Sequence, residues 1–239
     1  MIDLSKLDKH AAGKLFDHAV LPKQTTEKDI REGCKEAIKY NCAAMYSANP
    51  YYTPIIKEEL KGTDILIGTG IGFPFGSQPS AVKVFETEYA VKAGCTVIDF
   101  VINVGAMKDK SYDVVRQELK DFKKAAGSCI TKAILEVCYL NDEEIEVGAK
   151  MVAEAGIDYC KTSTGQFEGP TMQQFLIIKK ALEGTPVKLK VSGVKFPRPQ
   201  NAWCFIMAGA ELIGTRSAPE IIDGLEMCRE IGIVPKYKG

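Results

Sequence analysis

Lys132-Ala-Ile-Leu-Glu-Val-Cys138, followed by Asn141-Asp-Glu-Glu144 and then Asp158-Tyr-Cys-Lys161-Thr-Ser163, reads as a strand, a helix and a second strand. The outer runs are short and rich in apolar residues, and the segment between them is amphipathic. Asn141 stands before three acidic residues, with Glu144 at the third helical position, which is an N-cap followed by an acidic first turn. The alternation continues in both directions. Further candidate strands are Phe16–Leu21, Cys42–Ser47, Ile65–Gly70, Val97–Asn103, Val187–Ser192 and Leu212–Thr215. Thr26 ahead of Glu27 and Asp29 opens one intervening helix, and Ser111 and Thr171 open two others. Such alternation implies parallel strands joined by right-handed helical crossovers. Eight units predict an α/β fold, a TIM-type (β/α)8 barrel forming a single domain over residues 1–239, with a doubly wound open sheet as the competing arrangement.

Bulk properties narrow the function classes. The chain has 239 residues, of which 46% are hydrophobic and 26% charged, ordinary for a globular protein able to bury a full core. Thirty-one Lys plus Arg balance 31 Asp plus Glu, which argues against a broadly basic nucleic-acid surface or an electrostatic membrane anchor. A local basic pocket for a small anion is compatible with that balance. The longest apolar run, near Ala202–Ala210, is shorter than the roughly 18–20 residues of a membrane helix. The opening MIDLSKLDKH lacks the apolar centre of a signal peptide, so a cytoplasmic location is expected. Eight cysteines lie scattered, with no C-x-x-C, and most sit in apolar runs; they are expected to be reduced and mostly buried.

In a barrel the active site forms at the C-terminal ends of the strands. Ionisable residues inside strand runs are therefore the candidates: Asp99, Lys132, Glu136, Lys161, Lys188 and Lys190. Lys161 ends an apolar strand and is followed by Thr-Ser-Thr-Gly165. Apolar walls depress a lysine pKa, and a second cation such as Lys190 depresses it further. A neutral amine can then attack a carbonyl to form a Schiff base. The opposing reading is structural, with Lys161 paired to a carboxylate such as Glu136. Asp99 shares a strand face with Val97, Val101 and Asn103, where it would either shuttle protons beside an iminium or balance Lys132 or Lys161.

Glycine turns form a second set. Gly72-Phe-Pro-Phe-Gly76 follows the third strand, Ser192-Gly193 the seventh and Gly214-Thr-Arg216-Ser217 the eighth. Backbone N–H groups in such turns suit phosphate oxygens, and barrels often hold phosphate after strands seven and eight. Arg216 and Ser217 add side-chain donors. Only His10 and His18 are present, and no H-E-x-x-H, C-x-x-C or G-x-x-x-x-G-K-[ST] spacing occurs. Neither a metal nor a nucleotide cofactor is indicated.

At this point the sequence resembles the deoxyribose-phosphate aldolases, class I aldolases on a TIM barrel. Asp17-His-Ala-Val-Leu21 resembles that family's D-H-T-L-L, and Ser47-Ala-Asn-Pro50 its C-V-x-P. Gly72-Phe-Pro-Phe-Gly76 matches G-F-P-x-G, Ile98-Asp-Phe-Val-Ile-Asn103 matches I-D-x-V-I-N, and Lys132-Ala-Ile-Leu-Glu136 matches K-V-I-L-E. Tyr159-Cys-Lys-Thr-Ser-Thr-Gly165 matches F-V-K-T-S-T-G, the most specific of the set. Leu189-Lys-Val-Ser-Gly193 and Ile213-Gly-Thr215 resemble V-K-A-S-G-G and I-G-T-S.

The resemblance implies Lys161 as the Schiff-base lysine, Lys190 as the cation lowering its pKa, and Asp99 in a proton relay with Lys132 and a water. It places Lys132, Gly165, Ser192, Gly193, Gly214, Arg216 and Ser217 around the substrate. The implied reaction is reversible cleavage of 2-deoxy-D-ribose 5-phosphate, in carbohydrate and deoxyribonucleotide catabolism, with no cofactor. The implied partners are a small phosphorylated sugar or aldehyde and further copies of the chain, as dimer or tetramer.

The departures are Ala19 for Thr, Ser47 for Cys, Val97 for Glu, Val194 for Gly, Arg216 for Ser, and the turn Phe196-Pro-Arg198-Pro. They gather at the phosphate end and spare the amine chemistry. A Schiff-base aldolase with another sugar or aldehyde substrate, and a catalytically silent sugar-phosphate-binding barrel, are the alternatives.

Overall fold

The structure, a computed structural model, describes residues 2–239. Eight strands, β1 (Phe16–Val20), β2 (Ala44–Ser47), β3 (Leu66–Ile71), β4 (Val97–Val101), β5 (Ile130–Ile134), β6 (Tyr159–Lys161), β7 (Lys188–Ser192) and β8 (Leu212–Thr215), run in sequence order. All neighbours pair in parallel, and β1 closes on β8 through Phe16↔Ile213, Asp17↔Gly214 and His18↔Thr215. That last pairing makes a barrel and excludes the open sheet.

Eight helices follow the strands: α1 (Glu27–Lys39), α2 (Thr53–Glu59), α3 (Ser80–Ala93), α4 (Tyr112–Ala126), α5 (Asp142–Glu154), α6 (Met172–Ala181), α7 (Arg198–Ala208) and α8 (Ala218–Asp223). Short helices also occur at Lys9–Ala12, Val104–Lys108 and Leu225–Glu230. Complete capping boxes start α1 (Thr26 with Asp29), α5 (Asn141 with Glu144) and α6 (Thr171 with Gln174). Ser111 occupies the N-cap of α4, but its side chain makes no capping bond.

Several strands stop earlier than their apolar runs. β4 ends at Val101, and Asn103 turns to cap the helix Val104–Lys108 through Ala106 N–H. β5 begins at Ile130 and ends at Ile134; beyond it Glu136 takes a left-handed φ of 54°. β6 is only three residues long, although Thr162 just beyond it still donates its N–H to Lys190 O and accepts from Val137 N–H.

Alternation along each strand divides the core in two. Phe16, Val20, Met45, Ile67, Ile98, Phe100, Ala133, Cys160, Leu189 and Ile213 face the helices and join the main apolar cluster. Ala19, Ala44, Tyr46 and Val97 form a smaller inner cluster with Leu21, Leu66 and Ile130. Inward positions also carry Asp17, Asp99, Lys132, Lys161 and Lys190, all buried. Glycines make room for these large side chains. A Cβ on Gly68 would lie 2.5 Å from the Tyr46 ring, and one on Gly214 would lie 2.9 Å from Lys190 Cε.

Candidate active site

The inward charges form one hydrogen-bonded line across the barrel. Lys132 Nζ donates to Asp17 Oδ2 at 2.6 Å, and Lys190 Nζ reaches the same oxygen at 2.7 Å. Lys190 also donates to Asp99 Oδ2 at 2.9 Å, and Lys161 Nζ donates to that oxygen at 2.6 Å. The Tyr46 hydroxyl donates to Asp99 Oδ1 at 2.7 Å. The Tyr46 ring lies 4.2 Å from Lys190 Nζ and 5.5 Å from Lys132 Nζ, so its π-face adds to the hold on both cations. Three cations therefore share two carboxylates within a few ångströms.

The imbalance sets the protonation preferences. Burial pushes the Lys161 ammonium down; Asp99 opposes this, Lys190 and Lys132 add repulsion, and the pKa settles at about 8. Burial would also depress Lys190, but Asp17 and Asp99 outweigh it and hold Lys190 above the ordinary lysine value. Lys132 ends below that value because burial is only partly offset by Asp17. Burial would raise Asp99, yet Lys161, Lys190 and Lys132 hold it well below the usual carboxylate range. The result is an amine that loses its proton far more readily than an ordinary lysine, beside a firmly charged cation and a firmly charged carboxylate.

Lys161, Asp99, Lys190, Tyr46, Ser192 and Gly214 line a small cavity of about 20 Å³, with Phe73 as an apolar wall. Ala19, Leu21 and Gly214 are shared with an outer cleft of about 440 Å³. Gly165, Gly193, Val194, Arg216 and Ser217 line that cleft, so the turns after β6, β7 and β8 converge. Gly193 has φ of 76°, and a Cβ there would lie 2.8 Å from Gly169 Cα, so glycine is needed for both conformation and space.

Four placements differ from the sequence expectations or decide between them. Lys161 pairs with Asp99 and not with Glu136, whose Oε1 instead accepts from Thr164 N–H at 3.0 Å and secures the loop after β6. Lys132 lines neither cavity; its ammonium is bound to Asp17 and supports the charge line. Arg216 borders the outer cleft, but its guanidinium is clamped by Glu36 and lies 2.6 Å from His18 Nε2. Burial, then the neighbouring Arg216, pushes His18 down to about 4, so its ring is neutral near pH 7. Asp17 and Tyr46 complete the cluster and were not assigned roles from sequence. Asp17 carried the same signal as Asp99, a carboxylate inside an apolar strand; a strand tyrosine such as Tyr46 carries none.

The chain matches the family model described as DeoC/LacD family aldolase over residues 12–197. Over 214 residues it is 39% identical to deoxyribose-phosphate aldolase 1 of Mesoplasma florum, covering 89% of this chain and 96% of that one. It is 38% identical to deoxyribose-phosphate aldolase of Clostridium novyi, covering 88% and 95% of the two chains. The tetrameric deoxyribose phosphate aldolase of Aeropyrum pernix aligns with a TM-score of 0.83 at 25% identity, over 94% of this chain and 97% of that one. Fold, site and matches together define an enzyme of the lyase class, an aldolase on an α/β barrel. In particular, the chain belongs to the DeoC/LacD family of aldolases.

Proposed function

We propose that the protein cleaves 2-deoxy-D-ribose 5-phosphate reversibly to acetaldehyde and D-glyceraldehyde 3-phosphate through an imine on Lys161. One observation carries the reading: Asp99 Oδ2 accepts from Lys161 and from Lys190 at the base of a narrow cavity that opens to a wider cleft. The neutral Lys161 amine adds to the aldehyde carbon of the open-chain sugar, and loss of water leaves an iminium. The C3 hydroxyl gives up its proton, the C2–C3 bond breaks, and its electron pair flows to the iminium nitrogen. The three-carbon aldehyde phosphate leaves an enamine. Protonation at carbon and hydrolysis release acetaldehyde and restore the amine.

The roles follow from position. Asp99, with the Tyr46 hydroxyl, handles protons next to the imine nitrogen. Lys190 keeps Asp99 charged and favours the neutral form of Lys161. Asp17, itself held by Lys132, anchors Lys190 from behind. The glycine turns at Gly165, Gly193 and Gly214, with Ser192 and Ser217 nearby, receive the phosphate end. The iminium is the electron sink, so the scheme needs no cofactor.

A shifted acceptor is the second reading. It is favoured by Val194, which lines the outer cleft where the family pattern has glycine, and by Arg216, whose charge is already balanced by Glu36. The assay is acetaldehyde release from deoxyribose 5-phosphate set against a panel of other phosphorylated and unphosphorylated sugars. Fastest turnover of deoxyribose 5-phosphate supports the first reading, and fastest turnover of another sugar supports the second. Arg216→Ser adds a direct test, because an unchanged KM for the phosphorylated sugar removes Arg216 from the site.

The barrel is proposed to act as one domain, as a homo-oligomer in the cytoplasm, with no nucleic-acid or membrane partner. Among the described residues no helix is long and apolar enough to cross a membrane.

A further inference from the structure

Lys83, on the outward helix α3, is fully buried, which is rare for lysine. Its ammonium lies 2.6 Å from Glu118 Oε2 of α4 and 4.4 Å from the Phe100 ring. It donates to Gly76 O at 2.9 Å and to Val101 O at 3.1 Å. Glu118 Oε1 accepts from Asn103 N–H at 2.6 Å. One turn along α3 from Lys83, Glu86 accepts from Gly72 N–H at 2.8 Å. The two side chains thus fasten opposite ends of the Gly72–Gly76 loop, and the ion pair also fastens the chain just past β4.

That loop carries Phe73, the apolar wall of the Lys161 cavity. Phe73 packs over Gly70, where a Cβ would lie 2.9 Å from its ring, and Gly70 is the register partner of Asp99. A buried ion pair is often no more stabilising than an apolar pair of similar volume. An apolar pair, however, would leave Gly76 O, Val101 O and Asn103 N–H without these partners. The arrangement therefore acts on loop geometry more than on packing.

We propose that Lys83, Glu118 and Glu86 are positioning residues for the reaction, setting the Gly72–Gly76 loop so that Phe73 keeps water from Lys161. The proposal rests on the Schiff-base role of Lys161. The groups facing Lys161 and its partners are Asp99 from β4, Lys190 from β7, Lys132 from β5, Glu136 from the turn after β5, Tyr159 from β6, Tyr46 from β2 and Asp17 from β1. The substitutions below alter none of them.

The test uses Lys83→Met/Glu118→Leu, which removes both charges together, and Glu86→Leu, which removes only the Gly72 contact. Melting temperature, kcat, KM and the pH profile are measured, with borohydride trapping of the imine. The expected result is a folded protein whose kcat falls about tenfold or more, as misplacement of a reacting group predicts. KM for the sugar phosphate changes less than kcat. The rising limb of kcat/KM moves up from about 8 toward the ordinary lysine value as water reaches the amine. Phe73→Ala shifts the limb the same way, and combining it with the other substitutions adds little. Variants with an unmoved limb and wild-type kcat overturn the proposal, as does lost activity with an unmoved limb. If the wild type forms no adduct, the underlying Schiff-base reading fails and this inference with it; a wild-type adduct with unaffected variants refutes this inference alone.

Discussion

Lys161 is held between opposing influences that decide its reactivity. Burial and two neighbouring ammonium groups favour the neutral amine, while Asp99 favours the cation, and the balance lies at about 8. The neutral form is the nucleophile, so kcat/KM should rise with pH toward about 8 and then level off, as a pH–rate profile of the free enzyme will show. In Lys190→Met one repulsive charge is gone and Asp99 serves Lys161 alone. Both changes raise the Lys161 pKa, so the limb should move to higher pH and the rate at pH 7 should fall. An unmoved limb would remove Lys190 from this role. Asp17→Asn leaves Lys132 and Lys190 buried beside a neutral amide. Breaking a buried ion pair from one side costs about 3–5 kcal/mol, which denaturant unfolding should register. Lys161, Asp99 and Lys190 were legible as charges inside apolar strands. Asp17 was equally visible but lacked a partner in one dimension, since Lys132 is 115 positions away along the chain. The clamp on Arg216 by Glu36 and His18 was illegible for the same reason, since side-chain direction is not written in sequence.

Elements deliver these side chains through local rules that were mostly readable. The Asn141 cap and its Glu144 partner form the box that their spacing implies. Asn141→Ala should cost about 1 kcal/mol by thermal or chemical unfolding and leave kcat unchanged, because α5 starts away from both cavities. Strand ends were less readable. Apolar runs continue past β4 and β5 because Ile102, Leu135 and Val137 just beyond are buried in the main apolar cluster, so composition there does not mark where the strands end. Glycines mark the phosphate-side turns more sharply. Gly193→Ala introduces a Cβ at φ of 76° that meets Gly169 backbone. It should raise KM for a phosphorylated sugar while leaving imine formation with acetaldehyde intact, which steady-state assays and trapping can separate. Equal loss of both activities would place Gly193 outside the phosphate end.

At the scale of the molecule, closure of the barrel makes the site possible. β4, β5, β6 and β7 are adjacent in the ring, and β1 closes beside β8, so residues from Asp17 to Lys190 meet at its centre. The alternation of strand and helix implied parallel pairing. It did not by itself distinguish a ring from an open sheet, because closure depends on β1 finding β8. All eight cysteines are free and most are buried. The melting temperature should therefore be insensitive to a reducing agent, with eight thiols titrating after denaturation; a reductant-sensitive transition would contradict this arrangement. The central claim is that this line of charges makes Lys161 a Schiff-base nucleophile for a phosphorylated deoxy sugar. It is tested most directly by intact-mass analysis after treatment with deoxyribose 5-phosphate and borohydride. A covalent adduct that maps to Lys161 and vanishes in a folded Lys161→Ala protein is the predicted result. No adduct on the folded wild-type protein, or one that persists in Lys161→Ala, would contradict it.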